Sequence, residues 1–150
     1  MSRRKRIFGS AALVAAAIGL WGDLAMAASG KRLGAQARAV VTMNIYSGRP
    51  DPTWTLEGGD LAELMTRLDA LPEAQGAPPA SGALGYRGLT VSFPDGQELQ
   101  IAAGRAAIGA AAFDDKGRGF ERWIVGTGRA QTDGKALDAA LAQIDKAKAN

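Results

Sequence analysis

The sequence predicts an α+β domain, a small antiparallel sheet of three to four strands with two or three helices packed on one face. Two hydrophobic patterns and the order of elements predict it. Leu89, Val91 and Phe93 alternate before Pro94-Asp95-Gly96, and Leu99 and Ile101 alternate after it, the pattern of a hairpin with one buried face. Leu61, Leu64, Met65, Leu68 and Leu71 recur at helical spacing, and Leu137, Ala140, Leu141 and Ile144 do the same near the end of the chain. Strands consecutive in sequence tend to pair as neighbours, so the sheet is expected to be antiparallel rather than built from crossovers.

The first 27 residues read as a cleavable secretory signal. Arg3, Arg4, Lys5 and Arg6 form a basic start, Ile7–Trp21 is an uncharged apolar run, and Ala25-Met26-Ala27 is a small-x-small cleavage site. That run has 15 residues, short of the roughly 20 that span a bilayer, and Asp23 follows it closely. Ser2-Arg3-Arg4 is similar to a twin-arginine signal, but the crowding by Lys5 and Arg6 favours the general secretory route. No Cys follows the run to carry a lipid anchor. The expected product is a soluble periplasmic or secreted protein with no membrane span after cleavage.

Cleavage after Ala27 changes the charge balance. The whole chain carries 18 basic and 15 acidic residues, but residues 28–150 carry 14 of each. The net charge of +3 therefore belongs to the leader, and nothing in the mature composition points to nucleic acid as a partner. The chain has no Cys, so no disulfide framework supports the fold. It also has no His, which excludes His-dependent nucleophile systems and ordinary zinc sites. No cofactor, metal or catalytic residue is assigned from these residue types.

Along the mature chain, residues 28–38 are expected to form a flexible N-terminal arm and residues 39–150 a single α+β domain. Val40, Val41, Thr42, Ile45 and Tyr46 predict a first strand over 39–46, and the prolines of Ser47–Pro52 must break it. Thr53–Leu56 resumes an extended segment. Asp60 is expected to cap the next helix, with Glu63 completing a capping box, and Pro72 to end it. Residues 72–83, rich in Pro and Gly, read as a flexible connection. The hairpin of 86–93 and 97–103 follows, then a third strand over 105–113 whose alanines make helix a competing assignment. Asp114–Gly119 reads as a polar turn. Phe120, Trp123 and Ile124 mark a short helix, and Thr132 or Asp133 is expected to cap the last one.

The candidate site is the corner Ser47–Trp54. Its prolines stiffen a loop that presents Arg49 and Asp51, so little ordering entropy is lost on binding. Trp54 offers a flat apolar contact, and Arg87 at the start of the hairpin is the fourth candidate for ligand or partner binding. The alternative is a fold-defining corner with Trp54 in the core and Arg49 paired to a carboxylate. Tyr46-Ser47-Gly48-Arg49-Pro50-Asp51-Pro52-x-Trp54, followed by a Leu-rich helix and Tyr86-Arg87-Gly88, resembles a group of uncharacterised exported bacterial proteins with an SGRPNP-x-W-like signature. Asp51 stands where that signature has Asn, and the resemblance implies no activity.

Two further features have ordinary structural explanations. Asp114, Asp115 and Glu121 flank a Gly-rich turn and are carboxylates of the kind a glycan hydrolase uses, but a solvated turn with acids at a helix start accounts for them. Phe120 and Trp123 share a helical face and are expected to pack in the core. Gly126-Thr127-Gly128 lacks the Lys of a phosphate-binding loop. The expected function is a non-catalytic binding or interaction module of the bacterial envelope, recognising an envelope protein or a small ligand. The alternatives are an accessory structural subunit, whose last helix would expose its apolar stripe, and a carboxylate-based glycan hydrolase using Asp114, Asp115, Glu121 or Asp51. Protein recovered from the periplasm or medium of a bacterial host is predicted to begin at Ala28 by mass spectrometry. Recovery of the intact N-terminus in the membrane fraction would refute the leader assignment.

Overall fold

The computed structural model describes residues 33, 35–76 and 84–148. The expected leader, residues 1–27, lies outside them, as does most of the arm expected over 28–38. Within that arm Leu33 is fully buried, and Arg38 already opens the first strand.

Among the described residues the chain forms strands β1 (Arg38–Asn44) and β2 (Thr53–Glu57), then helix α1 (Gly58–Asp69) and strand β3 (Glu73–Ala74). Strands β4 (Gly88–Ser92), β5 (Glu98–Ala102), β6 (Arg105–Ile108) and β7 (Ala111–Asp114) follow, then helix α2 (Gly119–Thr127), a 3-10 turn (Gly128–Ala130) and helix α3 (Gly134–Lys148). The α+β class is as expected, but the sheet has seven strands rather than three to four, in the order β2-β1-β4-β5-β6-β7-β3. Each neighbouring pair is antiparallel.

The extra strands arise where sequence patterning is weakest. The single strand expected over 105–113 is a hairpin, β6 and β7, folded at Gly109-Ala110, with Ile108 opposite Ala111. Gly109 takes φ 55, a conformation that costs a glycine little. The run 105–112 is too rich in alanine for side-chain alternation to mark the turn. The connection expected over 72–83 contributes β3, two residues long, where Glu73 and Ala74 pair with Phe113 and Ala112. So short a strand is supported only by its partner.

Alternation sorts the sheet into two faces. Val41 and Met43, Trp54 and Leu56, Leu89 and Val91, Leu99 and Ile101, Ala106 and Ile108, and Phe113 are buried on one face. They form one hydrophobic cluster with Leu61, Leu64 and Leu68 of α1, Phe120, Ile124 and Val125 of α2, and Leu137, Ala140 and Ile144 of α3. The helices therefore cover that face. The opposite face carries Thr42, Thr55, Thr90, Ser92 and Gln100, half-buried or exposed.

Helix ends depart from the expected caps. β2 runs directly into α1 with Glu57 at the N-cap position and no side-chain cap. Asp60 lies inside the first turn, and Glu63 pairs instead with Arg67 one turn on, at 2.7 Å. At α3 the expectation of Asp133 holds: its Oδ1 accepts the Lys135 backbone N–H at 3.0 Å.

The β2 edge is closed by a side chain. Gln131 accepts the Thr55 N–H through Oε1 at 3.0 Å and donates Nε2 to the Thr55 carbonyl at 2.9 Å. These are the two bonds that a residue of an added strand would make, so the middle of the edge is unavailable for pairing with another chain. Gln131→Ala is predicted to remove about 1 kcal/mol of local protection. Hydrogen exchange of the Thr55 amide should then accelerate about fivefold, while the Leu56 amide, which faces β1, keeps its rate.

Candidate functional site

The corner between β1 and β2 brings three of the four candidate residues to one place. Asp51 Oδ1 accepts the backbone N–H groups of Ile45 at 3.0 Å and Tyr46 at 2.7 Å, which pins the far side of the loop to the end of β1. Arg87 reaches the same residue from just before β4: its Nη2 donates to the Tyr46 carbonyl at 2.9 Å and lies 4.0 Å from Asp51 Oδ2. The Arg87 backbone N–H also donates to the Asn44 carbonyl at 2.7 Å, continuing the β1–β4 ladder. Arg87 is therefore a half-buried brace. Arg49 is exposed, and its guanidinium carbon stands 3.4 Å from the centroid of the Tyr46 ring. It has no carboxylate partner among the described residues, so the ion pair allowed for in the alternative reading is replaced by a stack on an aromatic face.

Trp54 does not join them. It is 3% exposed and belongs to the core, and its indole N–H donates to Thr127 Oγ1 at 2.9 Å. Thr127 in turn donates to the Ile124 carbonyl at 2.6 Å. Gly128 lies flat against the indole: a Cβ there would stand 2.9 Å from the ring. A tryptophan held this way is unavailable as a ligand platform. The core alternative applies to Trp54, and the candidate site contracts to Arg49, Asp51, Arg87 and Tyr46. Gly126-Thr127-Gly128, with no phosphate-loop character, thus has a different role as the seat of the indole.

Two of the three carboxylates near the Gly-rich turn, Asp115 and Glu121, are buried, contrary to expectation, while Asp114 stays partly exposed. Asp115 is buried; its two oxygens accept the N–H groups of Phe120 at 3.0 Å and Glu121 at 2.9 Å, capping α2 from outside the helix. Arg118, at the N-cap position with φ 55, offers no cap of its own. Glu121 is fully buried. Its carboxylate takes Arg118 Nε at 2.7 Å and Nη2 at 2.8 Å, the Tyr86 hydroxyl at 2.7 Å, and the Gly104 N–H at 3.4 Å. Asp114 pairs with Arg105 at 3.4 Å. Each of the three is engaged in bonds that hold the fold.

Arg118 and Glu121 stand three residues apart, but nothing in the sequence links them to Tyr86, 35 residues before Glu121, or shows that the pair is buried. Burial pushes the Tyr86 hydroxyl far above the usual phenol value, and the Glu121 carboxylate pushes it the same way. The hydrogen bond to Glu121 holds Arg118 above its ordinary value, against the opposing effect of burial.

Other surfaces offer less. Recesses of about 500 and 520 Å³ lie at the opposite end of the sheet, beside Gln97, Ile108 and Gly109, and no corner residue lines either. The last helix buries Leu137, Ala140 and Ile144 and half-buries Leu141, so the exposed stripe expected of an accessory subunit is not present on it. Phe120 is in the core as expected, but Trp123 is only half-buried against it; the two rings stack at 6.4 Å with Arg67 over the Trp123 ring.

Tyr86→Phe keeps the ring and removes the hydroxyl, and it is predicted to cost about 1.5–3 kcal/mol in denaturant unfolding. The raised folded-state pKa of Tyr86 stabilises the fold fully below the unfolded phenol value of about 10 and progressively less as pH rises above it. Alkaline destabilisation should therefore be shallower in Tyr86→Phe than in the unaltered protein. In comparisons with known proteins, no family, no curated protein and no solved structure matches this chain.

Proposed function

We propose that the chain is exported, cleaved after Ala27, and acts in the periplasm or outside the cell as a non-catalytic binding module whose contact surface is the Tyr46–Asp51 corner. The observation that carries this reading is Arg49, an exposed guanidinium stacked on Tyr46 within a loop held at both flanks. Asp51 ties the loop to β1, Arg87 ties Tyr46 to β4, and Pro50 and Pro52 stiffen the chain between. Such bracing serves recognition, since a contact residue already held in place loses little freedom when a partner arrives. Asp51 and Arg87 are positioning residues in this scheme, and Arg49 with the Tyr46 ring makes the contact. The resemblance to exported proteins sharing the SGRP-[ND]-P-x-W-like segment is consistent with export.

The processed protein, immobilised and exposed to envelope extract, is predicted to retain a partner or ligand that Arg49→Ala loses at least fivefold. Lys135→Ala, an exposed control on α3, should retain it fully. Equal retention by Arg49→Ala, or none by the unaltered protein, would refute the proposal.

A further inference from the structure

We infer that the corner recognises an oxyanion, a carboxylate or phosphate group of its ligand, through the in-plane N–H donors of Arg49. This deepens the binding reading above and rests on it. The inference starts from how the arginines are partnered. Arg67, Arg105, Arg118, Arg122 and Arg129 each hold a carboxylate of this chain. Arg49 instead rests one face of its guanidinium on Tyr46, and no carboxylate among the described residues occupies its donors. A ring stack satisfies the face of a guanidinium and leaves its edge, where the five N–H donors lie, for a ligand.

The local charge is consistent with that assignment. Asp51 is the carboxylate of the corner, but its Oδ1 is taken by two backbone N–H groups, and its Oδ2 lies 4.0 Å from Arg87. The corner therefore carries two guanidinium groups and one carboxylate, and that carboxylate is already committed to holding the loop and to Arg87. Residues 28–150 as a whole are balanced, with 14 basic and 14 acidic residues, so this excess of positive charge is a local property of the corner. Carboxylate and phosphate are the groups whose paired oxygens match a guanidinium edge in two parallel bonds.

The experiment titrates the processed protein with inorganic phosphate and, separately, with acetate at constant ionic strength, following arginine Nε–H resonances by NMR. The Arg49 signal is expected to shift saturably, and that of Arg129, already bound to Asp138, to stay in place. Arg49→Lys keeps the charge but loses the fork and the flat stack, and should weaken anion binding at least tenfold. Tyr46→Leu should weaken it as well. Stronger binding of phosphate identifies a phosphorylated ligand, and stronger binding of acetate a carboxylate. Equal, non-saturating shifts at Arg49 and Arg129, or full binding by Arg49→Lys, would overturn the inference. A partner retained through Arg49 that neither anion displaces would overturn the oxyanion assignment alone and leave the binding corner standing.

Discussion

Glu121 is a carboxylate removed from water, and the three groups that compensate it come from separate parts of the chain. Tyr86 precedes β4, Gly104 sits in the turn between β5 and β6, and Arg118 precedes α2. A buried charge without partners costs several kcal/mol, so the fold forms with all of these segments in place or pays that penalty. Asp115 adds a second buried carboxylate a few residues away and directs its oxygens at the first amides of α2. Together they fix where α2 begins and how it sits against the end of the sheet. Arg122 of the same helix pairs with Asp145, which joins α2 to α3.

Placing α2 also places what depends on it. Its last residue, Thr127, receives the Trp54 indole, and Gly128 leaves room for the ring. Trp54 is two residues from Pro52 and lies on β2, so this contact ties the far side of the corner to the helical layer. The corner is thus divided in function: Trp54, Asp51 and Arg87 hold it to the body of the protein, and Arg49 and Tyr46 meet solvent. One continuous stretch of nine residues thus holds both a buried anchor and an exposed guanidinium stacked on a ring.

The edges of the sheet show a second constraint. A seven-stranded antiparallel sheet has two edges with unpaired backbone groups, and these invite pairing with other chains. At one edge the strand is only two residues long, and at the other the Gln131 amide occupies the central residue. Val40 is the large apolar side chain left 40% exposed on the uncovered face, in a surface otherwise dominated by Thr, Ser and Gln.

The helical stripes of α1 and α3, the β4–β5 hairpin and the α+β class were legible in the sequence because each rests on local periodicity over many residues. Leu61, Leu64 and Leu68 face the core as their spacing requires, and Leu89, Val91, Leu99 and Ile101 do so by alternation. The division of 105–113 into two strands was hidden by alanines that alternate weakly, and β3 exists only because β7 offers it partners. Of the candidate site, the prolines that stiffen the corner were legible in the sequence, while the separate placement of Arg49, Asp51, Trp54 and Arg87 was not. Whether Trp54 is anchor or platform depends on Thr127 and Gly128, more than 70 residues away in the chain. The same limit applies to Glu121, whose position at a helix start reads as solvent-facing until Tyr86 and Arg118 enclose it. Local patterning was enough for the helical stripes, the β4–β5 hairpin and the apolar face of each. Which polar side chains are buried and which stay exposed was settled by packing in three dimensions, because burial is set by neighbours that no local pattern records.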